Sequence, residues 1–310
     1  MARTVFRNTA AWLIPLLGLL ALGPLAARLL GRLRTDAGLP FATPLISASP
    51  VTGLTAAALV LAVALALGLL AARAVDLRGA FNAAGCVLLW GAWRTGPLEE
   101  TLQSSDPTTA MIRLAIEGAL IGLAVWIAAA LFESHARPTV HHGVPEPKPK
   151  GSPVGFAAVV RATLTNPSGL ASIAAAVAAG GAVAWFFAAE PLKNQGVFAA
   201  LLAGIAAAAA GRIAGQAAGD DPPVSATFFA VGVLACIGPA SSIILHGEAL
   251  DTVARLGQLR GLAGVMPFDW VAGACFGIPI GRAWVQASSA APSKRGGRPA
   301  SKPTPRRVTR

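Results

Sequence analysis

Charge is scarce in this chain. Asp, Glu, Lys and Arg make up 13% of its 310 residues, hydrophobic residues make up 55%, and mean hydropathy is +0.62. A soluble domain carries about 25% charged residues. That shortage, with long apolar runs, excludes a water-soluble globule and points to an all-α, multi-pass membrane protein, because a helix satisfies its own backbone polar groups in hydrocarbon.

Cysteine is nearly lacking as well. Cys86, Cys236 and Cys275 stand singly in apolar runs with no CxxC spacing, so neither a disulfide framework nor a thiolate metal site is expected. The four histidines are equally uninformative. His135, His141 and His142 fall in one polar stretch without a carboxylate or thiol at ligand spacing, and His246 stands alone. Catalytic arrangements are missing too. There is no GxSxG and no glycine-rich phosphate loop with its lysine. The carboxylate pair Glu99-Glu100 is followed by Gln103 and Ser104, where a glutamate-dependent intramembrane protease needs an arginine and histidines in later spans. The expectation is a protein without catalytic residues, metal or cofactor.

What is present is a pattern of eight apolar segments: 12–30, 55–75, 80–93, 111–132, 170–189, 196–218, 226–245 and 265–285. The third is shorter than the ~20 residues that cross ~30 Å of hydrocarbon. The long polar interruption, 133–161, holds Pro138, Pro145, Pro147, Pro149 and Pro153 and reads as an extended linker. The chain thus divides into a first membrane half at 1–132, the linker at 133–161, a second half at 162–286 and a basic tail at 287–310.

The net charge of +11 is concentrated in that tail, where Lys294, Arg295, Arg298, Lys302, Arg306, Arg307 and Arg310 stand with no acid. Such a tail has the composition of a disordered segment and suits anionic lipid headgroups. No aromatic residue interleaves with the basic ones, which argues against nucleic acid. The positive-inside rule then places both termini and the linker in the cytoplasm, with the Arg28–Arg34 loop dissenting. Trp12, Trp90, Trp93, Trp185, Trp270 and Trp284 fall near segment ends as a belt would, and Trp126 lies deeper. Twenty arginines against five lysines in an alanine-rich chain suggest a GC-rich bacterial genome, hence an inner membrane.

The two halves align loosely, FNAAGCVLLWG at Phe81 against FFAVGVLACIG at Phe228, which places Glu117 opposite Asp269 in a parallel repeat. Glu117 lies within an apolar run, where a bare carboxylate is expensive and must be paired, protonated or turned to the bundle interior. Arg113 is one turn earlier and forms the expected local pair. Asp269 follows Pro267-Phe268 and reads as a helix N-cap. Gly204, Gly211, Gly215 and Gly219 form a small-residue packing face, within the chain or with a second copy. Gly238-Pro239 and Gly277-Ile278-Pro279-Ile280-Gly281 are expected to break the last two helices.

Two functions fit these residues. One is a non-enzymatic scaffold or assembly component, with a protein partner or a second copy. The other is a small-solute or proton-coupled carrier using Glu117, Asp269 and the broken helices.

Overall fold

The computed structural model describes residues 2–40, 42–103, 106–136, 140–141, 144–145, 155–188, 193–259 and 261–290. The described chain is a bundle of α-helices: α1 (Ala2–Leu17), α2 (Gly23–Leu30), α3 (Pro50–Ala74), α4 (Leu77–Arg94), α5 (Leu98–Gln103), α6 (Pro107–His135), α7 (Phe156–Thr165), α8 (Pro167–Phe187), α9 (Lys193–Ala217), α10 (Val224–His246), α11 (Leu250–Arg255) and α12 (Pro267–Ala290). A two-residue ribbon pairs Val140–His141 with Val144–Pro145. Helix α6 runs three residues into the expected linker and α7 occupies its far end, so the linker shortens to 136–155. The tail also begins later, because α12 continues to Ala290, and the rest of the tail lies outside the described residues.

Among the described residues, six helical segments are long and apolar enough to cross a membrane: Val5–Leu30, Pro50–Ala74, Pro107–His135, Pro167–Phe187, Lys193–Ala217 and Val224–Arg255. The other two expected spans correspond to α4 and α12, which are helical but less apolar. Their place in the bundle explains why. The two pack against each other, with α1, α2 and α3 around α4 and α6, α9 and α10 around α12. Ala80, Phe81, Ala83 and Val87 of α4 are buried, and so are Trp270, Val271, Ala274 and Ile278 of α12. A helix lined by protein does not need the hydropathy that lipid contact imposes, so glycine, alanine and charged ends are tolerated there.

The first span is not a uniform helix. Between α1 and α2 the residues Gly18–Leu22 form a π turn, in which the Gly23 amide bonds to the Gly18 carbonyl. Pro24 explains the local widening: it has no N–H, and its ring clashes with a preceding carbonyl in regular α geometry. The same missing donor leaves the Leu19 carbonyl without its i+5 partner, and Trp90 of α4 fills it, Nε1 donating to Leu19 O at 2.8 Å. Gly23 admits the indole, since a Cβ there would collide with the Trp90 ring. Trp90→Phe therefore strands a carbonyl inside the bundle and is expected to cost about 1–3 kcal/mol, read as a lower unfolding temperature in detergent. An unchanged transition would mean that the carbonyl finds another donor.

Tryptophan placement departs from a simple belt. Trp12, Trp93, Trp185 and Trp284 are exposed to the surroundings of the bundle, whereas Trp270 is fully buried and Trp90 is committed to Leu19.

Neither proline interrupts its helix. α10 runs continuously through Pro239 and α12 through Pro279, against the expected breaks at Gly238, Gly277 and Gly281. On α10 a close neighbour covers the freed carbonyl. The Ala235 carbonyl, which Pro239 cannot cap, lies directly against Gly118 of α6. One turn along, Gly122 of α6 meets the Gly232 backbone of α10. On α12, Gly273, Gly277 and Gly281 lie against Ala200, Leu201 O and Ile205 O of α9. Small residues let backbones touch, where dispersion and Cα–H contacts replace the hydrophobic drive that lipid removes.

The packing face expected on α9 is thereby split. Gly204 does meet α12, at Ala274 and Gly277, but Gly211 faces Ser172 of α8 and Gly215 faces Pro222. Gly219 lies past the end of α9 with φ of 131°, a turn position that glycine alone adopts without strain.

Candidate functional site

Two almost fully buried acids, Glu117 and Asp269, lie at one end of the bundle, where α6, α9 and α12 converge under a buried connecting loop. The loop is the 42–48 segment between α2 and α3. Ser47 fastens it by donating from Oγ to Pro44 O at 2.9 Å and from its backbone amide to Thr43 O at 3.0 Å. Gly53 of α3 has no side chain to block it, since a Cβ there would overlap the Pro44 carbonyl. Ala42, Thr43, Ile46 and Ser47 are consequently buried, although they belong to a connection between helices.

Glu117 of α6 projects into this end of the bundle with only 1% of its surface exposed. Its Oε2 accepts a hydrogen bond from the Leu45 amide at 2.9 Å. Among the described residues its Oε1 has no hydrogen-bond partner. The buried Thr43 hydroxyl also lacks one, and it lies close enough to act on the carboxylate. The expected Arg113 pair is not formed: among the described residues no ion pair joins Arg113 to Glu117. Arg113 is half-buried and can extend toward the end of the helix, as long basic side chains do.

Lys193, the first residue of α9, acts on the Glu117 carboxylate only at longer range, with no ion pair between them among the described residues. Its Nζ donates to Asp269 Oδ1 at 2.6 Å and to Thr95 Oγ1 at 3.2 Å. Thr95 is held in turn by donating to Ala92 O at 3.0 Å, just past the end of α4. Asp269 is as buried as Glu117, and its Oδ2 accepts from the Met266 amide at 3.3 Å. It is therefore not the N-cap. It stands three residues into the helix and reaches back to the preceding amide, which is half of a capping box. Gly196 makes room for it, because a Cβ there would come within 2.9 Å of Asp269 Oδ2.

The structure thus buries Glu117 and Asp269 at the same end of the bundle, on two helices that lie far apart in the sequence, with the Lys193 ammonium bonded to Asp269. One carboxylate holds the lysine directly, and the other has one oxygen without a hydrogen bond among the described residues, with the Thr43 hydroxyl nearby. If both acids are ionised the group carries one uncompensated negative charge, which a proton on Glu117 would remove. Chemically, the arrangement can hold an ion pair and exchange one proton. An apolar roof covers it, with Leu98 and Leu102 of α5 and Leu250 of α11 packed on Ile46, Met111 and Met266.

A second polar group closes the opposite end of the same three helices. Glu117 and Glu133 are about 24 Å apart along α6. Glu133 caps α10 from outside it: Oε1 accepts from the Val224 amide at 3.1 Å, and Oε2 accepts from the Ser225 amide and hydroxyl at 3.2 Å each. Asp221 is clasped by Arg212 Nε at 3.0 Å and Arg282 Nη2 at 3.3 Å, and Arg212 also donates to Arg282 O at 3.0 Å. The Arg282 charge reaches Glu133 as well. Asp76 adds a peripheral contact at this end, capping α4 through Gly79 N at 2.8 Å and pairing with Arg7 at 3.7 Å.

Motif and spacing do not single out Lys193, Glu133 or Arg282. One signal exists for the first: Lys193 is the only lysine in either membrane half. Glu133 carries no signal, since its partners are far along the chain and it stands at the edge of the linker.

No protein-family model, no curated protein and no solved structure matches this chain.

Proposed function

We propose that the chain is a non-enzymatic scaffold or packing component of a bacterial inner membrane, with eight spans and both termini in the cytoplasm. α4 and α12 supply the seventh and eighth spans. They are about 27 Å and 36 Å long, close to or beyond the ~30 Å hydrocarbon thickness, and their neighbours shield them from lipid.

The observation that carries the scaffold reading is the interlock between the two polar ends. Along α6 the buried residues from Gly118 to Ala130 are apolar, and α6 meets α10 backbone to backbone at Gly118 and Gly122. α9 and α12 are joined in the same way at Gly273, Gly277 and Gly281. Polar groups at both ends fix the helices in register, and close packing of this kind favours one arrangement over two. The basic tail and linker then serve as contacts for anionic headgroups or a protein partner.

One observation favours the carrier as a second reading: a buried Glu117 carboxylate without an ion pair among the described residues, at the same end of the bundle as the Lys193–Asp269 pair. Proton flux into vesicles loaded with a pH-sensitive dye separates the two. The scaffold reading expects wild-type proteoliposomes to match protein-free vesicles and Glu117→Gln to change nothing. A wild-type flux abolished by Glu117→Gln would establish the carrier instead.

A further inference from the structure

A crevice of about 290 Å³ opens between α3 and α6, away from the Glu117 cluster and reaching toward the Glu133 end at Phe132. Its mouth is lined by small residues, Ala58 and Ala62 on α3 and Ala124 and Ala128 on α6. Phe81 and Ala84 of α4 form the floor, and Cys275 of α12 closes the back. The α3 pair is exposed, the α6 pair half-buried and the floor buried, so the cleft leads inward from the surface that lipid would cover. The volume is at the small end of ligand sites, ~300–1,000 Å³, and the lining has no charged, amide or hydroxyl side chain to orient a polar solute.

The α3 wall and the α4 floor each continue toward a basic residue, while the α6 wall ends beside Glu133, whose carboxylate is taken by the Val224 and Ser225 amides. Arg73 lies three helical turns beyond Ala62 on the same stripe of α3, and Arg78 lies one turn before Phe81 on α4. Both arginines are exposed, and among the described residues neither has an ion-pair partner, since Asp76 between them is taken by Arg7. The Glu133 end of the bundle therefore presents two free guanidinium groups above an apolar slot.

We infer that this crevice binds an anionic glycerophospholipid of the surrounding bilayer, with one acyl chain between α3 and α6 and the phosphate on Arg73 and Arg78. The chemistry of each part matches: small apolar residues admit a methylene chain, and guanidinium groups bind phosphate through paired N–H donors. Charge complementarity at the rim selects a lipid over a second copy's apolar helix. The site shares α6 with Glu117 but uses residues two or more turns further along it, and it does not depend on the scaffold reading.

Native mass spectrometry of the full chain, released from nanodiscs of mixed phosphatidylglycerol and phosphatidylcholine, tests this. Wild-type protein is expected to retain one phosphatidylglycerol in preference to phosphatidylcholine. Arg73→Gln with Arg78→Gln should abolish the preference, weakening retention on the order of thirtyfold, from about one kilocalorie per mole for each basic residue. Ala62→Trp, which fills the mouth from an exposed position, should lower retention of either lipid while leaving the unfolding temperature unchanged. Equal retention of both lipids by wild type, or a preference that survives the double substitution, would overturn the proposal. A dimer dissociated by Ala62→Trp would also overturn it, by showing that a second copy fills the slot.

Discussion

Replacing Lys193 by Met should cost the folded protein about 3–5 kcal/mol, the range expected when one partner of a buried ion pair is removed and its charge is stranded. Asp269 has 1% of its side chain exposed and Lys193 15%, so solvent cannot substitute for the missing ammonium. Glu117 loses the longer-range influence of the same charge. The loss should therefore be recovered in large part by Lys193→Met combined with Asp269→Asn and Glu117→Gln, because no uncompensated charge then remains. Chemical and thermal unfolding in detergent reads both variants. If Lys193→Met unfolds with the wild type, the lysine does not hold the acids and the account of this end of the bundle fails.

The second large effect is expected at the backbone contacts. A Cβ on Gly122 would fall on the Gly232 backbone, and one on Gly277 on the Leu201 carbonyl, where neither neighbour can rotate away as a side chain would. Gly122→Val and Gly277→Val should each cost about 1–3 kcal/mol, typical of overpacking. They act on different helix pairs, so the double variant should show the sum. Gly181→Ala is the control. Its Cβ would meet only the end of the Leu234 side chain, at 3.1 Å, and a flexible terminus can yield. Comparable losses from Gly181→Ala and Gly122→Val would mean that backbone contact is not what joins α6 to α10.

The sequence shows some of this architecture directly. Long Leu/Ala/Val runs mark α3, α6, α8, α9 and α10 to within a few residues, because lipid contact demands hydropathy that is visible residue by residue. α4 and α12 register weakly in hydropathy because their neighbours are protein. The acids Glu117 and Asp269 also stand out, since charge within an apolar run is costly wherever it falls. Their surroundings do not, because local spacing points Glu117 to Arg113, while it is the Leu45 amide of a distant loop that bonds Glu117 and a lysine from another helix that bonds Asp269. Glycine spacing on α9 is equally visible, yet only Gly204 of that set meets α12, and the triplet that packs is Gly273, Gly277 and Gly281. Proline invites the reading of a broken helix because sequence cannot show a neighbour such as Gly118 lying over the carbonyl it frees.

A single arrangement of α6, α9 and α12 is the claim on which the scaffold reading depends. Spin labels at Ile112 of α6 and Phe198 of α9, both exposed near the Lys193 end, report it by pulsed electron resonance in nanodiscs. The three native cysteines must first be replaced by alanine. The account predicts one narrow distance distribution that is the same at acidic and alkaline pH. A second distance whose population changes with pH would contradict it and identify Glu117 as part of a moving, proton-linked carrier.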